Sequence, residues 1–256
     1  MSAPEFLVMG PLEVRGQGLE IRIGGARERA ILTALVLHAN RVVSVERLIE
    51  AVWVEGAPRS ARGQIAICVY RLRKALGEAG AAVVTCSPGY LLRADREAID
   101  WLRFEGMVAN ARTAVAAGDG EGAVALLRGA LALWRGSPFE DVPGLRYEVD
   151  RLEEARLEAI ELCLDLELDL GRYHRVIAEL GPIVARYPLH ERARAQLMLA
   201  QYRSGRRAES LRTYLDARRD LVEQMGMEPG PELRRLHDRI LRDEAGLMPS
   251  ARAWPA

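Results

Sequence analysis

The sequence predicts a mostly α protein with small β-sheets, and three observations predict it. Short β-type runs separated by glycine occupy the first 25 residues and recur near residues 83–93. Three helical segments lie between them, and from about Asp100 to Glu244 helical periodicity dominates with almost no β-branched runs. A chain of 256 residues is long for one core, so two domains are expected: residues 1–96, residues 97–246, and a flexible tail at 247–256.

The opening runs "FLVMG", "LEVRG" and "LEIRI" are separated by Pro11 and by glycines at 16 and 18, and read as a small antiparallel sheet. A helix from about Arg27 to Ala39 follows, with Ile31, Leu32, Leu35 and Val36 facing inward. Ser44 reads as the N-cap of a second helix, whose inward residues are Val45, Leu48, Ile49 and Val52, and Trp53 ends it. After the loop "VEGAP", Ser60 caps a third helix that closes near Gly77. "VVTC", the turn residues Ser87, Pro88 and Gly89, and "YLLR" then form a hairpin.

The third helix carries an anomaly. Ile65, Val69, Leu72 and Leu76 fall within about 60° of one another and make an ordinary buried stripe. Ile67 lies on the opposite face between Arg71 and Lys74, where a soluble helix is usually polar. From Ala57 to Gly77 there are five cations (Arg59, Arg62, Arg71, Arg73 and Lys74) and no acid, and Lys74 is the chain's only lysine. Residues 1–95 carry 12 Lys/Arg against 9 Asp/Glu, a net of +3, within a chain of zero net charge.

The order of sheet, three helices and hairpin suits a winged helix-turn-helix, in which the third helix enters the DNA major groove. Ile67 then meets a thymine methyl, Arg71 forks onto guanine O6 and N7, and Gln64 reaches adenine. Lys74, Tyr70, Arg59 and Arg62 are assigned to phosphates, and Gly63 allows close approach of the helix start. The hairpin tip carries no cation, so a wing contact is weak or made through the backbone, with Thr85 and Gly89 the candidates. The helix alone leaves alternatives open: Ile67 packs under the N-terminal sheet or in a dimer contact, and the cations form a solvated face. The surrounding sheet and hairpin favour DNA.

In the second half, Tyr147 to Leu170 holds one apolar stripe through Leu152, Ala159 and Cys163 and another through Ile160, Leu164 and Leu168, so this helix is expected between two neighbours. "LGRYHRVIAEL" at 170–180 returns as "SGRRAESLRTY" at 204–214, placing Gly171 and Gly205 34 residues apart. That is the tetratricopeptide period, whose stacked helix pairs leave a surface for a protein segment. A helical bundle serving stability alone is the other reading.

Taken together, "MGPLEV" at 9–14, "GGARERAILTALVLHANRVVSVERLIEAVW" at 24–53, "YRLRKALG" at 70–77, "SPGYLL" at 87–92, "YPLHERARAQLMLAQYRSGRRAESLRTYLDARRDL" at 187–221 and "GMEPGPELRRLHDRIL" at 226–241 resemble the Streptomyces antibiotic regulatory protein (SARP) activators over nearly the whole chain. The resemblance implies an OmpR-type winged helix, as in two-component effectors, followed by a bacterial transcriptional activator domain. It implies an activator of antibiotic biosynthesis genes that binds direct repeats in duplex DNA as a homodimer or side-by-side pair and recruits RNA polymerase holoenzyme. By likeness to OmpR-type domains, Val54, Glu55 and Gly56 are polymerase-contact candidates. The family commonly has Asn-Thr at Gly63-Gln64, and Tyr and Ser at Cys68 and Tyr70, so the operator differs while the docking mode is expected to be shared. Larger relatives append an ATPase module, which is not expected here.

The alternatives weighed are an enzyme and an interaction adaptor without specific DNA binding. No G-x-x-x-x-G-K-[ST] or G-x-S-x-G motif occurs, and His38, His174, His190 and His237 have no metal-ligand spacing, so no catalytic residue, metal or cofactor is expected. Cys68, Cys86 and Cys163 fit a reduced cytoplasmic protein. The N-terminus lacks a secretory signal pattern, and "AILTALVL" is too short to span a membrane.

Overall fold

The computed structural model describes residues 4–139 and 142–247. The chain divides into two compact units: Met1–Thr113 with Ala125–Leu157, and Ala114–Val124 with Glu158–Ala256.

The first unit opens with an antiparallel sheet, β1 (Glu5–Leu7), β2 (Glu13–Gly16) and β3 (Leu19–Glu20), in that order. Phe6 pairs with Val14, while β3 is shorter than the expected run to Ile23. α1 (Ala26–Leu37), α2 (Val45–Val52) and α3 (Ala61–Leu76) follow and pack on one another. β5 (Val83–Cys86) and β6 (Gly89–Leu92) form the expected hairpin. A two-residue strand, β4 (Val43–Ser44), pairs with β6 and completes a second sheet of order β4-β6-β5. Two residues are too few to show an alternation, so the sequence pattern does not reveal β4.

α1 is buried more completely than its pattern suggests. All eight residues from Ala30 to Leu37 are buried, with α2, α3 and β6 packed against the helix. In α2, Ser44 caps as expected, its Oγ accepting from Arg47 N at 3.2 Å. Leu48 is buried, and so is Ala51, whose carbonyl lies where a Cβ on Gly144 would stand.

The packing unit is larger than the winged-helix motif because Asp100 reaches back into it. Its buried carboxylate accepts from Val8 N at 2.8 Å and from Met9 N at 2.9 Å, and Arg135 Nη2 lies 3.8 Å away. Burial pushes this carboxyl above its ordinary range, opposed by the backbone donors and Arg135. Ile99 bridges in parallel to Phe6, joining residues beyond 96 to the N-terminal sheet.

α4 (Asp100–Ala116), α5 (Gly120–Leu131), α6 (Arg146–Asp169), α7 (Tyr173–Arg186), α8 (Glu191–Arg203), α9 (Arg207–Met225) and α10 (Pro231–Leu241) complete the helices. In the second unit, Leu164 and Leu168 share a core with Val176, Leu180, Val184, Ala193, Leu197 and Ala200. The predicted repeat is present as geometry. Gly171 and Gly205 have φ of +78° and +82°, and the residue after each bonds back five positions, Arg172 N to Glu167 O at 2.9 Å and Arg206 N to Gln201 O at 2.8 Å. Gly118, φ +79°, makes a third such turn, with Asp119 N bonding Ala114 O at 2.9 Å. Its sequence departs from the Gly-Arg pattern of the other two: Asp119 stands in place of arginine, and the Asp119 Oδ1 accepts from Gly122 N at 2.8 Å.

The expected tail from residue 247 begins too early. Leu247 is buried in a core with Met198, Tyr202, Leu233 and Ile240, while residues 248–256 lie outside the described residues. No helix among the described residues is long and apolar enough to cross a membrane.

Candidate nucleic-acid interface

α3 separates its residues as the periodicity predicts. Ala61, Ile65, Cys68, Val69, Leu72 and Leu76 are buried, with α1 and α2 packed against the helix. On the outer face Ile67 is 52% exposed and Tyr70 67% exposed. Neither packs under the N-terminal sheet, which removes that alternative for Ile67. Gly63, Arg71 and Lys74 are also exposed, and about 120° of helix surface gathers Gln64, Ile67, Tyr70, Arg71 and Lys74.

The side chains around Ile67 are not all free. Gln64 Oε1 accepts from Arg27 Nη1 at 2.6 Å, and Gln64 Nε2 donates to Ser60 Oγ at 2.9 Å. Ser60 therefore receives a side chain where a capping bond to backbone was expected; its hydroxyl makes no cap bond. Both ends of the Gln64 amide are engaged, each through one of its two hydrogen-bonding positions. Arg71 Nη1 lies 3.7 Å from Glu28 Oε1 and its side chain is 68% exposed. Arg62 pairs with Glu46 on α2, and Arg59 is exposed.

Arg27 and Glu28, at the start of α1, are the residues at this face that sequence reasoning missed. Arg27 also stacks over Trp53, its guanidinium carbon 5.1 Å from the ring centre. They lie 37 and 43 positions from their α3 partners, and no local pattern reports such a pairing. Glu28 also faces the buried thiol of Cys68, and burial followed by that carboxylate pushes the thiol's pKa up.

The hairpin is tied to α3 by Arg73, whose Nε donates to Val83 O and whose Nη2 donates to Thr85 Oγ1, both at 2.8 Å. Thr85 remains exposed. Gly89 must be corrected: it is buried, and a Cβ there would overlap Val43 O, so its glycine serves the close approach of β4 and β6 rather than a phosphate. Val54, Glu55 and Gly56 are all exposed in the loop before α3. Among the described residues there is no group of three or more His, Cys, Asp or Glu able to hold a metal ion.

The family model "Transcriptional regulatory protein, C terminal" matches residues 20–92, and "Bacterial transcriptional activator domain" matches residues 99–241. Regulatory protein DnrI of Streptomyces peucetius is 34% identical over 252 residues, 94% of this chain and 93% of DnrI. The chain belongs to the SARP family of transcriptional regulators. Another SARP relative, regulatory protein AfsR of Streptomyces griseus, is 42% identical over 96% of the chain, which spans only 25% of AfsR. The solved structure of Mycobacterium tuberculosis EmbR in complex with a low-affinity phosphopeptide superposes with a TM-score of 0.90 at 33% identity, over 98% of this chain and 67% of that one. In this SARP chain the match to residues 20–92 contains α1–α3 and the hairpin, and therefore the whole exposed face around Ile67.

Proposed function

We propose that this SARP chain is a sequence-specific activator that docks α3 in the major groove of direct repeats, as a homodimer or side-by-side pair, ahead of antibiotic biosynthesis genes. The observation that carries the reading is Ile67, held in solvent among Gln64, Tyr70, Arg71 and Lys74. An aliphatic side chain at that place gains from a thymine methyl, and Arg71 beside it suits guanine. Tyr70, Lys74, Arg59 and Arg62 supply phosphate contacts that fix the register, Arg62 by exchanging Glu46 for phosphate. Gly63 brings the helix start close, and Thr85 is the remaining wing contact. Recruitment of RNA polymerase holoenzyme is assigned to the exposed loop at Val54, Glu55 and Gly56 together with the helical second half. The activity is binding alone, in the cytoplasm, without catalytic residue, metal or cofactor.

Duplex binding by the full chain, measured against salt, tests this reading. Log affinity is expected to fall steeply with log salt, and Arg71→Ala is expected to erase the preference at one base pair of the selected repeat while leaving binding to random duplex. No duplex binding would instead favour the interaction adaptor that the helical repeats suit.

A further inference from the structure

α3 contains no acidic residue, so nothing on its own helix orients the long Arg71 side chain. Its charged partner comes from α1: Glu28 Oε1 at 3.7 Å from Nη1. Glu28 is itself well held. Its side chain is only 12% exposed, whereas that of Arg71 is 68% exposed. It is the third residue of α1 after the N-cap Gly25, where the helix dipole favours an acid. Glu28 Oε2 occupies the place that a Cβ on residue 25 would take, so glycine there makes the room for the carboxylate. One oxygen is seated over the helix start and the other faces the guanidinium.

We infer that Glu28 is a positioning residue that aims Arg71 at its base and sets the discrimination made at one base pair. The inference rests on the base-reading role proposed for Arg71. A flexible arginine must give up rotamer freedom when it forks onto guanine; one already restrained by a fixed carboxylate gives up less. The same carboxylate brings negative charge toward the phosphates, which weakens binding to any duplex. Glu28 therefore acts in opposite directions on specific and nonspecific affinity, a signature that a purely structural residue does not produce.

The test uses the full chain and the tightest duplex it selects from a randomised pool. Each G·C pair of that duplex is replaced singly, and the loss of affinity is measured for the unaltered chain, Glu28→Gln, Arg71→Ala and the double variant. The pair read by Arg71 is the one whose penalty, roughly tenfold or more, vanishes in Arg71→Ala. Glu28→Gln is expected to shrink that one penalty by about threefold, to leave the other positions unchanged, and to raise affinity for random duplex. In the Arg71→Ala background Glu28→Gln is expected to change no penalty. An unaltered penalty, a uniform loss at every position, or an equal effect with and without Arg71 would overturn the inference. If Arg71→Ala erases no single penalty, the base-reading role itself falls, and the inference with it.

Discussion

α1 buries eight consecutive residues, Ala30–Leu37, whereas α3, packed against it, leaves Ile67 and Tyr70 in solvent. Both helices are rich in aliphatic residues, and both contribute to the same core. The difference teaches where to look for function. In α1 each apolar residue is accounted for by what covers it, so the helix explains itself as structure. In α3 the inward stripe is accounted for in the same way, and Ile67 is left over. An apolar side chain among cations on an otherwise solvated face has no folding role, and a surface presented to base edges supplies the missing one.

Substitutions of like chemistry in the two helices sharpen this contrast. Leu32 is fully buried in α1, and Leu32→Ala is expected to cost about 2–5 kcal/mol in chemical unfolding, because the site cannot close over the lost atoms. Gly25→Ala, at the N-cap of α1, is expected to cost about 1 kcal/mol, since alanine caps less well than glycine and its Cβ would push the Glu28 carboxylate from its seat. Its clearer effect is on DNA: displacing Glu28 should reduce discrimination at the pair that Arg71 reads.

His38, the C-cap of α1, gives a smaller, pH-dependent effect. Burial, followed by the nearby Arg47, holds its pKa below the ordinary 6.5. The folded chain therefore keeps His38 neutral while the unfolded chain takes up a proton, so stability is expected to fall as pH drops through about 6.5. His38→Gln should flatten that part of the stability profile; an unchanged profile would show that other groups set it. The smallest change in folding is expected for Ile67→Ala, within about 0.5 kcal/mol, because the residue is half in solvent.

The predicted fold class, the N-terminal sheet, the three-helix order and the hairpin were legible because each rests on local pattern. The α3 faces followed from periodicity alone, and the two glycine turns at Gly171 and Gly205 from their spacing. What escaped was set by distant packing. α1 shows four inward residues by pattern and eight by burial, since a periodicity cannot report covering on the opposite side. Asp100 reads only as about where the helical half begins, yet it is buried on the backbone of Val8 and Met9. Gln64 reads as free for adenine until Arg27 and Ser60 are seen to hold both ends of its amide. Gly89 reads as an open turn residue until β4, too short to predict, is found against it.

The central claim is that Ile67 lies on base edges, and one exchange of atoms addresses it directly. In the selected duplex, each thymine is replaced singly by deoxyuridine, which removes only the 5-methyl group, and affinity is compared for the unaltered chain and Ile67→Ala. One position is expected to weaken binding of the unaltered chain several-fold and to leave Ile67→Ala indifferent. If no position distinguishes the two proteins, Ile67 does not touch a thymine methyl and the account of this face is wrong.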